Sequence, residues 1–265
     1  MSTYVMSDIH GCFDELMEML EVIQFSEDDQ LVIAGDYIDR GKQSYEMLKW
    51  IGNAPLNVTF LKGNHDVEFV YCVDLMRIMF DKKQLPLDNL EATTIIYELL
   101  VELSNTNHMV GAFDYYGTIG KLVRENSATM LQLNEWSENI RKMSFIKTDV
   151  INKKSFLIVH AGYIENLVDA DTEDNYEDVE DFYLNARDDA YMCGGKKDSV
   201  VISGHTPTIF EDEIPYNDGL VYSFYDDELN CRFYNIDCGC AYKEKYSHAK
   251  LACIRLEDEE IFYVN

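Results

Sequence analysis

The stretch "LVIAGDYIDRG", residues 31–41, decides the fold. Its first four residues are a short apolar run with the character of a buried β-strand. The run stops at a Gly-Asp pair and is followed, past a second polar turn, by the helical pattern "SYEMLKWI" at 44–51. The same unit precedes and follows it. "TYVM" leads into "SDIHG" and then the helical "FDELMEMLEVI", while "NVTFL" leads into "KGNHD". Strand and helix therefore alternate, which is the pattern of an α/β layered fold.

Two later runs end in the same way: "KSFLIV" is followed by "HAG", and "DSVVI" by "SGHTP". Each apolar run is thus followed at once by Asp, Asn or His beside Gly. In α/β sheets ligands bind outside the carboxyl ends of the strands, so these loops are expected to converge on one place. Glycine permits the tight turns and the close approach of backbone to a ligand. Of the six histidines in the chain, His10, His65, His160 and His205 all lie in these loops, a concentration that neither core nor surface placement would produce.

The rest of the chain sets the frame. With 265 residues, 47% of them hydrophobic, the chain can bury a substantial core, and residues 1–265 read as a single domain. From about residue 67 to 148 the pattern changes to helix-length amphipathic stretches, "VEFVYCVDLMRIMF", "LEATTIIYELLVEL" and "SATMLQLNEWSENIRKM", which read as a helical insertion. Met76, Met79, Phe80 and Tyr97 in it are expected to pack helices together. Strands are expected to resume after residue 154, "CRFYNI" being another, and "LACIRLEDEEIFYV" reads as a closing hairpin. The acidic residues 169–183 read as a solvated loop or helix face.

Charge narrows the partners. Against 22 Lys+Arg stand 49 Asp+Glu, a net of −27, so the average surface repels nucleic acid and anionic membranes, and neither is expected as a partner. The start "MSTYVMSDIHG" shows no basic leader or long apolar run, so a cytoplasmic location is expected. The seven cysteines are odd in number and scattered, which suits reduced, buried thiols. Cys238 and Cys240 flank one glycine, but no second pair completes a zinc site, and they read as packing residues. His108 and His248 lie outside the loop motifs and read as structural.

Asp8, His10, Asp36, Asn64, His160 and His205 form a mixed oxygen and nitrogen set. It is too large for one tetrahedral zinc and suits two adjacent metals sharing a carboxylate, with Asp36 as the bridge. Two metals roughly 3.5–4 Å apart activate water at neutral pH and clamp phosphoryl oxygens, which is the chemistry of phosphoester hydrolysis. With no thiolate in the set, Mn²⁺ is the expected ion, Fe, Zn or Ni being alternatives.

"SDIHG", "GDYIDRG", "GNHD", "HAG" and "GHT", in this order over residues 7–206, resemble the signature of the calcineurin-like metallophosphoesterases. The "DRG" resembles in particular the phosphoprotein phosphatase branch, which includes serine/threonine phosphatases, their bacterial and phage relatives, and symmetrical dinucleoside tetraphosphate hydrolases. The resemblance implies a layered β-sandwich flanked by helices. It implies Asp8 and His10 on one metal, Asp36 bridging, and Asn64, His160 and His205 on the other. His65 resembles the general acid, Asp39 its hydrogen-bonded partner, and Arg40 a phosphate-binding arginine. A second such arginine is implied between "HAG" and "GHT", where Arg187 is the only arginine from 163 to 203. Ser7 stands where the family commonly has Gly, and Asp66 where protein phosphatases usually have Glu. Asp66 is expected to stabilise its loop rather than bind metal.

The implied activity is hydrolysis of phosphate monoesters, with phosphoserine or phosphothreonine in proteins, or a small phosphoester, as substrate. Symmetrical dinucleoside tetraphosphate hydrolysis is the alternative. A non-catalytic binding module of the same fold is a third reading, against which the intact ligand set, His65 and Arg40 argue.

Overall fold

The computed structural model describes residues 1–107, 116–168 and 170–265. Two five-stranded mixed sheets stack face to face. The first has the order β10-β9-β1-β2-β3 and contains β1 (Thr3–Met6), β2 (Gln30–Ile33), β3 (Val58–Phe60), β9 (Leu251–Arg255) and β10 (Glu260–Val264). The second has the order β4-β5-β6-β8-β7 and contains β4 (Ile146–Ile151), β5 (Lys154–Val159), β6 (Ser199–Ser203), β7 (Tyr222–Asp226) and β8 (Cys231–Asn235).

The period-two alternation of side chains sorts these strands into layers. Along β1 and β2, Tyr4, Met6, Leu31 and Ile33 join the core under the helices, while Val5 and Val32 point into the core between the sheets. Along β5 and β6, Phe156, Ile158, Val200 and Ile202 meet them there, and Leu157, Val159 and Val201 line the outer face of the second sheet. Each fully buried side chain of this kind stabilises the fold by about 1.5–3 kcal/mol. Central strands buried on both faces therefore appear as unbroken apolar runs, as the sequence reading required.

Helices α1 (Phe13–Val22) and α2 (Ser44–Ile51) follow β1 and β2. Four more, α3 (Asn64–Lys83), α4 (Leu90–Asn107), α5 (Tyr116–Arg124) and α6 (Met130–Arg141), lie between β3 and β4. Met76, Phe80 and Tyr97 are buried in the core shared by these helices and the first sheet, and Met79 packs against it. The chain enters and leaves this helical stretch at one point, because Leu61 and Ser144 form a β-bridge and Lys62 N–H donates to the Ser144 carbonyl at 2.9 Å. In this stretch α3 begins at Asn64, and β4 begins at Ile146. His108 lies outside the described residues.

Past β5, the acidic segment runs as a loop into α7 (Val179–Asn185), its Asp171, Glu173, Asp174, Glu177, Asp178 and Glu180 exposed as expected, and α8 (Asp189–Met192) follows it. Asp178 caps α7 by accepting from the Glu180 and Asp181 amides, both at 2.9 Å. The buried Asp189 carboxylate accepts from the Glu173 and Asp174 amides and the Tyr176 hydroxyl. The hairpin at residues 251–264 forms as expected, with Arg255 opposite Glu260. All seven cysteines are free thiols. No helix among the described residues is long and apolar enough to cross a membrane.

Candidate active site

The parallel strands of both sheets supply the site. β1, β2 and β3 run parallel in one sheet, and β5, β6 and β8 in the other. Past the ends of these six come, in order, Asp8 and His10; Asp36, Asp39 and Arg40; Asn64 and His65; His160; His205; and Asp237.

These loops hold unusual backbone. Asp8, His10, Asp36, Asp39, Arg40 and His205 all have φ between 46° and 70°, a left-handed conformation that costs a non-glycine residue energy. Neighbouring loops hold one another in it: His10 N–H donates to the Asp36 carbonyl at 2.8 Å, and Gly11 N–H to the Tyr37 carbonyl at 2.8 Å. Gly35 is required on two counts, a φ of +88° and a Cβ position only 2.9 Å from His160 Nδ1.

Asp36 is the hub. Its Oδ2 lies 3.4 Å from His10 Nε2, 3.5 Å from His160 Nε2 and 3.9 Å from His65 Nε2. Its Oδ1 accepts the His65 amide at 3.0 Å, so the carboxylate sits at the N-terminus of the 20-residue α3, where free amides and the helix dipole favour negative charge. Asp66, in that same first turn, is fully buried and accepts from the amides of Asp36 at 2.8 Å, Gly63 at 2.9 Å and Tyr37 at 3.2 Å. It ties the second loop to the third and does not enter a metal-competent group.

Two such groups share Asp36: His10, Asp36 and His65 in one, and Asp36, His160 and His205 in the other. Asn64 Oδ1 lies beside the second, 3.0 Å from His160 Nε2 and 3.1 Å from His205 Nδ1. Asp8 stands behind the first, its Oδ1 3.9 Å from His10 Nε2. Both His10 and His160 donate Nδ1–H to backbone carbonyls, of Ile38 at 2.7 Å and Ala34 at 2.9 Å, which turns each Nε2 inward as a ligand requires.

The electrostatics fit cations. Burial and the neighbouring Asp36 carboxylate push Asp8 up to about 7, and its Oδ1 is buried without a hydrogen-bond partner. Burial opposes ionisation of Asp36 too, but His160 and His65 beside it hold it well below the usual carboxylate range. Burial, with the Arg40 charge beside it, keeps His10 neutral, and burial and His160 do the same for His205. An ionised Asp36 and neutral His10 and His205 are in the protonation states a cation needs, and a cation nearby would offset the cost of ionising the buried Asp8. The donor set of carboxylate, amide and imidazole suits two divalent ions.

His65 differs. Burial would lower it, but Asp36 and the hydrogen bond to Asp39 raise it, with Nδ1–H donating to Asp39 Oδ2 at 2.8 Å. Arg40 reaches across the mouth, one guanidinium nitrogen on His10 Nε2 and the other 3.1 Å from His65 Nε2, and its plane lies over the Tyr242 ring at 5.4 Å. Arg187 comes from the turn between α7 and α8. It is half exposed, paired with Glu213 at 3.7 Å, and near enough for its charge to act on His205 and Tyr242. His248 faces Asp218 at 4.0 Å and belongs to neither group.

Sequence reasoning missed Asp237. It is buried, its Oδ2 has no partner, and burial and the nearby Asp8 carboxylate push it well above the usual range. Nearby Asn235 donates to the carbonyls of Gly204 and Thr206 and to Tyr191 Oη, which anchors the loop bearing His205. The signal available was "NIDCGC", which resembles a strand-and-turn element of the bacterial members of the family and places Asp237 at the end of an apolar run, two residues before Gly239.

This fold and site define a calcineurin-like phosphoesterase. The model of that family matches residues 1–240, and the chain belongs to it, a family of metal-dependent phosphoester hydrolases. Among curated proteins the chain is similar to bis(5'-nucleosyl)-tetraphosphatases, symmetrical. It is 46% identical to that of Buchnera aphidicola over 71 residues, 26% of each protein, and 37% identical to that of Haemophilus ducreyi over 93 residues, 35% of this chain and 33% of the relative. The match thus spans about a quarter to a third of those relatives' length. Among solved structures, one assigned to a diadenosine tetraphosphatase aligns with a TM-score of 0.53 at 16% identity, covering 99% of this chain and 92% of that one. A protein serine/threonine phosphatase from Saccharomyces cerevisiae aligns at 0.50 and 12% identity, covering 99% of this chain and 78% of that one. At these identities the likeness is one of fold.

Proposed function

We propose that the chain, as one domain with α3–α6 as an insertion, is a two-metal phosphoesterase whose preferred substrates are phosphate monoesters with alkyl leaving groups, phosphoserine and phosphothreonine peptides foremost. Asp8, His10 and Asp36 hold one cation, and Asp36, Asn64, His160 and His205 the other, Mn²⁺ in the first instance. The cations supply Lewis acidity that activates water and neutralises phosphoryl charge. Arg40 binds phosphoryl oxygens through its planar fork, with Arg187, whose charge also reaches His205 and Tyr242, as the second arginine. His65 gives its Nε2 proton to the departing oxygen, and Asp39 orients the ring.

The 2.8 Å His65–Asp39 hydrogen bond carries the choice of leaving group. A serine or threonine alkoxide is a strong base and needs a positioned proton donor, whereas a nucleotide phosphate leaves with little help. The net charge of −27 also works against a polyanionic substrate and in favour of peptides with basic flanks. The names of the curated relatives favour a second reading, symmetrical hydrolysis of dinucleoside tetraphosphates. The test is kcat/KM of Mn²⁺-loaded protein on a phosphothreonine peptide and on diadenosine tetraphosphate at equal ionic strength. Preference for the peptide supports the first reading, and preference for the dinucleotide replaces it with the second.

A further inference from the structure

A cavity of about 480 Å³ opens beside the loops that carry His10 and Arg40, with Gly11 and Arg40 in its wall. Three further lining residues, Cys12, Glu15 and Cys240, are all buried, and their ligand atoms lie within 4.8 Å of one another. Cys12 and Glu15 sit at the start of α1 at a spacing that puts them on one face of the helix. Cys240 opens the 3₁₀ turn at Cys240–Tyr242, just past the loop of Asp237. Two thiols and a carboxylate thus meet from opposite ends of the chain. None of them serves the phosphoester chemistry.

We propose that Cys12, Glu15 and Cys240 form a separate site for a thiophilic divalent cation, of which Zn²⁺ is the type. Glu15 already holds a cation, because Lys243 forms an ion pair with it. Lys243 lines the cavity and is 38% exposed at its side chain, so it can turn to solvent when a metal takes its place. Two sulfurs and one oxygen select Zn²⁺ over Mn²⁺ or Mg²⁺, whereas the active-site donors are all oxygen and nitrogen. The cavity leaves the fourth tetrahedral position to water.

Binding forms two metal–sulfur bonds and one metal–oxygen bond, releases two thiol protons to solvent, and changes no oxidation state. The bound ion ties the loop after β1 to the loop after β8 in a cavity that Arg40 also lines. Zinc there stiffens the mouth of the active site from outside it. The inference does not depend on which phosphoester the enzyme prefers.

The experiment is a Co²⁺ titration of the full chain, preloaded with Mn²⁺ and kept reduced with a phosphine, followed by near-ultraviolet absorption. Only a thiolate site gives a sulfur-to-cobalt charge-transfer band, so cobalt entering the active site is silent there. Wild-type protein is expected to develop the band and to lose it when Zn²⁺ is added. Cys12→Ser and Cys240→Ser are each expected to lose it while keeping the wild-type circular dichroism. Should either serine variant fail to fold, Glu15→Gln keeps both thiols and is expected to bind cobalt more weakly. No band in the wild type, a band that persists in both serine variants, or unchanged cobalt affinity in Glu15→Gln overturns the proposal.

Discussion

The two sheets contribute unequal halves of the site. The loops of the first sheet hold Asp8, His10, Asp36, Asp39 and Arg40 at positive φ, and its His65 side chain is 14% exposed. The loops of the second sheet hold His160, wholly buried, and His205, the one site residue there at positive φ. Strained residues cost about 1–3 kcal/mol each, and the first half persists because its loops are laced to one another by backbone hydrogen bonds and by Asp66. In the second half the two histidines are buried, and of its proposed site residues only Arg187 reaches solvent. The comparison teaches that the proposed proton donor and the proposed phosphate-binding Arg40 belong to the strained, solvent-reaching side, while the proposed ligands His160 and His205 sit buried on the other.

The largest test removes what the halves share. Asp36→Asn weakens both ion groups, and kcat/KM is expected to fall by more than the roughly 10²–10³-fold that loss of a single charge-stabilising group costs. Metal content per chain, measured after gel filtration, should fall with it. Retention of both ions would remove Asp36 from its place as hub.

The next test separates the halves. His65→Asn is expected to lower kcat on a phosphothreonine peptide by roughly 10²–10⁴-fold, less on an aryl phosphate whose leaving oxygen is a weaker base, with metal content unchanged. His160→Ala should instead release metal. If both variants lose metal alike, the division into a reacting half and an anchoring half fails.

A smaller effect concerns stability. Asp66→Ala strands the buried amides of Asp36, Gly63 and Tyr37, and the denaturation midpoint should drop by the equivalent of about 1–3 kcal/mol, the cost of leaving buried donors unpaired. A midpoint equal to wild type would mean that the first half needs no such tie.

Smallest is the change at the rim. Arg187 is exposed and its pairing with Glu213 at 3.7 Å is loose, so Arg187→Ala should cost about 1 kcal/mol or less, read as a rise in KM of a few-fold. Glu213→Gln should shift KM the other way by freeing the arginine. Equal and unchanged KM values in both variants would exclude Arg187 from substrate binding.

What the sequence determined by itself follows from burial. The central strands β1, β2, β5 and β6 carry continuous apolar runs, and the glycines, aspartates and histidines at their ends mark the loops that the structure draws together. The strands it hid, β4 "IKTDVI" and β7 "YSFYD", are the two edges of the second sheet, half exposed along their length, so no apolar run marks them. Tertiary structure alone decided the pairings between residues far apart in the chain. It set Asp66 under the amides of a neighbouring loop, buried Asp237 beside Asp8, and brought Cys240 against Cys12 and Glu15. Local pattern reports which residues are buried. Which buried polar groups then share a site depends on how two sheets stack, and that is settled by the packing of their facing cores.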